Sequence, residues 1–291
     1  MSEVRPAAEE RSAPRTWPTW VTMFLILPVG TLTVSMVSIL AGALLSEGVN
    51  PTEPGAMEAW LTEVVASPAG ILILIAPSQL FFLALSLGAA LPSPEPLKER
   101  LGLVRPALSP TAVAFLCLGT PAIQLLSVLL GSLFFDMSEP SEHLKMLGGL
   151  FTGQEGLLGV GLLILFVGLM PGLSEELFFR GYVRVGLGRR FGLFITIFLP
   201  AVIFAAIHGD LMHATVVLPL GLWFGGLALW SRSVIPAIIA HAINNLFSVF
   251  QAVVIGIEGR GVREVNRAIP NKAINCLGKI LQPIRIGIPV S

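Results

Sequence analysis

LLGVGLLILFVGLMPGL, Leu157–Leu173, runs seventeen residues without a charge, and SEELFFR, Ser174–Arg180, follows it directly. A helix needs about 20 apolar residues to cross the hydrocarbon of a bilayer, so the first stretch nearly suffices and the second sets three charges where it ends. Further uncharged runs lie on both sides: 20–45, 66–91 and 111–135 before it, and 191–207, 214–230 and 234–257 after it. The pattern predicts an all-α polytopic transmembrane bundle of about seven to eight spans. Composition agrees: 54% of the 291 residues are hydrophobic and 12% charged, about half the charge of an ordinary soluble domain. The 30 Gly and 22 Pro fit membrane helices, where both are common. A net charge of +0 gives no reason to expect nucleic acid, and Cys117 and Cys276 are too few for a disulfide framework.

Four segments follow: a disordered head (1–19), N-terminal transmembrane helices (20–150), a polar-bearing transmembrane core (151–257) and a basic tail (258–291). Lys and Arg near span ends concentrate on the cytoplasmic side. The head carries Arg5, Arg11 and Arg15; the first loop carries Glu47, Glu53, Glu58 and Glu63 with no basic residue; the second carries Lys98, Arg100 and Arg105. Asp136, Glu139 and Glu142, against Lys145, make the third loop external, whereas Arg180, Arg184, Arg189 and Arg190 are internal. The expectation is an integral protein of the cell (inner) membrane with a cytoplasmic N-terminus. Seven spans would leave the tail outside despite Arg260, Arg263, Arg267, Lys272, Lys279 and Arg285. A hidden or re-entrant span at Pro171-Gly172 is one resolution, and a translocated basic tail the other.

Ionisable residues at membrane depth are costly, and so point to function. Ser174 reads as the cap of a helix restarted after Pro171-Gly172, with Glu175 and Glu176 at its positive end. Glu176 and Arg180, four apart, can pair, and Glu175 then keeps a free carboxylate. The alternative is an interfacial helix with solvated charges. His208 closes the fifth run four residues after Phe204; His213 reads as a loop residue. His241 and Asn245 share one face of the last span, either as a site or as interhelical glue. A hairpin turning near Arg190-Phe191 would bring Glu175 and His208 to equal height, about 25 Å from the turn.

These three patterns, EExxxR at Glu175-Glu176 with Arg180, FxxxH at Phe204 with His208, and HxxxN at His241 with Asn245, resemble the CPBP intramembrane proteases. That family includes the type II CAAX prenyl proteases and the Abi-type proteins. The resemblance covers roughly residues 155–250; Arg100-Leu101-Gly102-Leu103 and Arg105-Pro106 also have the look of the family. It implies an intramembrane endopeptidase in which Glu175 is the general base holding a water with His208, while His241 and Asn245 donate to the oxyanion. Glu176, Arg180 and Phe204 support them. The partners implied are the lipid bilayer and a membrane-associated peptide or protein substrate, prenylated CAAX peptides in the best-known relatives. No cofactor is favoured. A metalloprotease version would place zinc on Glu175, His208 and His241, an acceptable donor set without the usual HExxH helix.

Neither a GxGD aspartyl motif nor a GxSG serine motif is present. The competing class is a non-enzyme, a transporter or an immunity or scaffold protein, supported by Gly221-xxx-Gly225 and by side chains able to carry protons.

Overall fold

The computed structural model describes residues 16–46, 52–154 and 156–268, the last fourteen of these as backbone only. Among them there is no strand. Ten helices follow one another: α1 (Trp17–Leu45), α2 (Ala56–Val65), α3 (Pro68–Ala90), α4 (Leu97–Arg100), α5 (Pro110–Gly131), α6 (Glu142–Thr152), α7 (Gly156–Leu187), α8 (Phe194–Ala206), α9 (Leu211–Trp230) and α10 (Ile235–Ala268). Six of them, α1, α3, α5, α7, α9 and the Ile235–Val254 part of α10, are long and apolar enough to cross a membrane. The fifth run of the sequence makes only α8, about 20 Å long, well short of a hydrocarbon core of roughly 30 Å. The described residues therefore hold six membrane-length helices and one shorter apolar helix of this kind.

Proline explains most of the local irregularity. Four π-helical stretches, Thr22–Ile26, Ile71–Ile75, Ile164–Leu169 and Phe194–Phe198, each end two residues before a proline: Pro28, Pro77, Pro171 and Pro200. A proline lacks the N–H for the i−4 carbonyl and its ring collides with that carbonyl, and the widened turn absorbs both defects. Helix α7 consequently runs through Pro171-Gly172 unbroken, which corrects the expected restart at Ser174. Ser174 is no cap; its hydroxyl faces the Met170 carbonyl at 2.8 Å inside the helix.

Helix α7 packs on α3 and α10, α9 on α8 and α5, and α1 on α3. Gly172 lets α7 approach α10 closely: a Cβ there would stand 2.9 Å from the Ala242 nitrogen. The largest core cluster joins Met23, Phe82, Leu101, Phe178, Phe179, Tyr182 and Phe204. Outward-facing apolar side chains such as Phe115, Leu118 and Leu125 stay exposed, which costs little beside lipid tails as apolar as they are.

One end of the bundle is stitched by the segment 97–107. Gly102, at φ +66, ends α4 with the Leu103 N–H on the Lys98 carbonyl (2.7 Å), the left-handed closure that glycine adopts without strain. The buried Arg100 donates to the Tyr182 carbonyl (2.6 Å) and lies over the Tyr182 ring at 4.0 Å. The Gly102 carbonyl accepts from Val234, and that of Val104 from the Ser233 hydroxyl. The start of α1, the end of α7 and the α9–α10 turn thus meet at the end holding Arg100 and Arg184. Loops 132–141 and 207–210 lie at the other end, where the His143 and His213 rings are 5.9 Å apart. Helix α10 runs away from the basic end and continues past 257 to Ala268, so Arg260, Arg263 and Arg267 ride on a helix and not in a tail. Arg5, Arg11, Arg15, Glu47, Lys272, Cys276, Lys279 and Arg285 lie outside the described residues.

Candidate active site

Helix α7 supplies the centre. Glu176 is fully buried and Arg180 is 2% exposed, and Arg180 Nη1 donates to Glu176 Oε1 at 2.8 Å, the i, i+4 pair expected from spacing. Arg180 Nη2 donates to the Gly221 carbonyl of α9 at 2.6 Å. Its guanidinium lies over the Phe204 ring at 4.7 Å, so one cation ties α7, α8 and α9 together. The turn that carries Arg180, Leu177–Val183, is π-helical with no proline after it. It is the one such stretch among the described residues that proline does not explain, and it begins immediately after Glu176.

Helix α10 completes the network. His241 Nδ1 lies 2.9 Å from Glu176 Oε1; the carboxylate can only accept, so Nδ1 carries the proton and Nε2 is the ring atom left over. The His241 ring stacks on Phe224 at 4.7 Å and 14° and meets Phe204 edge-on at 5.9 Å. Glu176 Oε1 therefore accepts from both Arg180 and His241, while Oε2 is buried without a partner. His241, expected in one pocket with Glu175, makes its hydrogen bond to the adjacent Glu176.

Glu175 is 8% exposed and is not free either. Its Oε1 accepts from Gln79 Nε2 of α3 at 3.0 Å, and Gln79 Oε1 accepts from the Ser174 hydroxyl at 2.7 Å. Gln79 escaped the sequence reading because a single uncharged amide does not interrupt an apolar run; its position near the middle of 66–91 is the signal that could have flagged it. A second oxygen of Glu175 makes no hydrogen bond among the described residues.

Helix α8 brings His208. Its Nδ1 lies 2.8 Å from the Phe204 carbonyl, an oxygen that can only accept, so Nε2 is again the free nitrogen. The Phe204 ring touches His208 (5.1 Å) as well as His241 and Arg180. This gives the FxxxH spacing a physical basis: one residue fixes the histidine tautomer with its carbonyl and buttresses the rest with its ring. Phe204 lies level with Phe179 and Arg180 (rings of Phe179 and Phe204 at 5.3 Å). His208 itself lies in the turn two residues after α8 ends. No hydrogen bond joins Glu175 to His208. His213 lies in the first turn of α9, not in a loop, with its ring 4.8 Å from that of His208. Asp210 caps that turn, accepting from the His213 N–H at 2.7 Å, a bond that holds its carboxyl below the usual range.

Asn245, one turn beyond His241, accepts from Asn244 Nδ2 at 3.2 Å through Oδ1, which leaves its own amide N–H groups as donors. Among the described residues no three His, Cys, Asp or Glu side chains are grouped to hold a metal ion. Nδ1 of His208 and of His241 is hydrogen-bonded and each Nε2 is left over, as in a metal-ligating histidine held by its other nitrogen, while Glu175 Oε1 accepts from Gln79. No chemistry here is routed through a metal ion.

A bundle of membrane-length helices that encloses buried carboxylates, a histidine and an amide points to an integral membrane protein. Residues 158–247 match the family model described as type II CAAX prenyl endopeptidase Rce1-like, and that stretch contains all three motifs. The match is consistent with the CPBP proteases that the motifs resemble and supports an intramembrane protease at the level of class. No curated protein and no solved structure matches.

Proposed function

We propose that this chain is an intramembrane endopeptidase of the CAAX type that uses a glutamate and no metal. Glu175 is the general base: it draws a proton from a water held between its carboxylate and His208 Nε2, and the hydroxide adds to the carbonyl carbon of the scissile peptide bond. His241 Nε2 and the Asn245 amide receive the oxyanion. As the tetrahedral intermediate collapses, the proton taken by Glu175 passes to the leaving amine. Glu176 and Arg180 act behind the reacting atoms, orienting His241 as a carboxylate orients a histidine in other sites. The substrate is a membrane-associated peptide or protein. In this reading the N-terminus and the basic end face the cytoplasm, the membrane is the cell (inner) membrane, and the His208 side opens outward.

The observation that carries the proposal is the division of labour between adjacent carboxylates. Glu176 is fully buried, its Oε1 shared by Arg180 and His241 and its unpaired Oε2 sealed from solvent, whereas Glu175 is 8% exposed, holds one neutral amide and keeps a second oxygen that is not sealed in this way. A base needs an oxygen that water can reach. The test compares peptides released from membranes containing wild type with those from membranes containing Glu175→Ala at equal protein level. Peptides present only with the wild type are expected; identical peptide sets would remove the catalytic assignment.

A further inference from the structure

At the basic end, away from the Glu175 site, the end of α7, the segment after α4 and the α9–α10 turn enclose a pocket of about 420 Å³. Arg184, Arg189 and Arg232 line it with one carboxylate, Glu99; Val104 and Leu229 give it an apolar wall. Arg184 commits only Nε, to the Arg180 carbonyl at 2.8 Å, leaving both Nη groups available. Arg189 is paired with Glu95. The Arg232 backbone N–H donates to the Leu229 carbonyl at 3.1 Å, whereas its exposed side chain makes no hydrogen bond or ion pair with any described residue.

Helix dipoles favour cations at the ends of α7 and α9, which fits Arg184, Arg189 and Arg232 alike. They do not account for the backbone at Arg232. Its φ of 55 is the single positive value at a non-glycine among the described residues, in a region where glycine or asparagine is ordinarily used. A long cationic side chain kept at a strained turn, unpartnered and lining a pocket already holding two guanidinium groups, calls for an anion from outside the chain. Trp230, 55% exposed, stands two residues before it, the type of residue enriched at headgroup level. Guanidinium groups bind phosphate oxygens with two parallel N–H donors, and basic pockets between membrane helices take phosphate-bearing headgroups.

We propose that this pocket binds a phosphate group, presented by the headgroup of an anionic phospholipid, with Arg184 and Arg232 as its donors and Val104 and Leu229 against the adjoining lipid carbons. The test uses the purified full chain in vesicles of phosphatidylcholine, with and without added phosphatidylglycerol, and in phosphatidylcholine with inorganic phosphate. Thermal unfolding is followed in each. Phosphatidylglycerol is expected to raise the midpoint by about 3 °C, the size of a linked ligand present well above its Kd. Arg232→Gly, which relieves the backbone strain and so keeps the fold, and Arg184→Gln should each lose that rise. A rise with inorganic phosphate alone would support the phosphate site and assign it to the free anion. No rise with either probe, or an equal rise in both variants, would overturn the proposal.

Discussion

The helices before residue 132 and those from Gly156 onward are both apolar, yet they bury polar groups in different ways. In the first region, where cross-helix bonds such as that from Trp223 to Thr120 are single links, several buried hydroxyls bond to their own helix: Thr22 to the Pro18 carbonyl, Ser86 to Phe82, Ser127 to Ile123. Such groups need no neighbour, and α1 and α5 leave most of their surface outward. In the second region Glu176, Arg180 and His241 satisfy one another across α7, α9 and α10. Gln79 is the first region's contribution to that network. A self-satisfied polar group makes a helix independent, whereas a cross-helix network makes several helices one object, and a site can be held there.

The largest effect should come from breaking the network. Arg180→Ala leaves Glu176 a buried, uncompensated charge and should cost about 3–5 kcal/mol, read as a collapse of the unfolding midpoint in detergent. The matching change in the first region, Ser127→Ala, should stay within about 1 kcal/mol. Equal losses would dissolve the contrast between the regions.

Next comes chemistry without unfolding. Asn245→Ala should lower kcat roughly 10²–10³-fold, the scale of one lost oxyanion donor, with the unfolding midpoint nearly unchanged. If KM rose and kcat held, Asn245 would be a binding residue. Gln79→Leu keeps the shape and frees the Glu175 carboxylate from its amide; kcat should fall by about tenfold, the worth of one hydrogen bond to a charged group. The smallest effect is expected from metal removal: extensive chelation should leave cleavage unchanged, and loss restored by zinc would reinstate a metal centre.

The sequence disclosed the membrane class, the starts of the long apolar helices within a few residues, and the three motifs, because apolar runs and i, i+4 spacing are local properties. The Glu176–Arg180 pair was legible for the same reason. The bond from His241 to Glu176 was not, since it depends on how α10 is rotated against α7 at Gly172. Gln79 was hidden because it lies 96 residues from its partner. The unbroken course of α7 escaped notice because Pro171-Gly172 signals a break in water, while here a widened turn before the proline carries the helix through. The shortness of α8 followed from where its π-helical start begins, which composition does not mark.

Side-by-side cleavage by purified Glu175→Gln and Glu176→Gln proteins in liposomes, each with its unfolding midpoint, tests the division of labour most directly. The account predicts that Glu175→Gln folds like the wild type and loses cleavage by at least about 10²-fold, while Glu176→Gln loses stability first and activity with it. A Glu175→Gln protein that cleaves at the wild-type rate would contradict it.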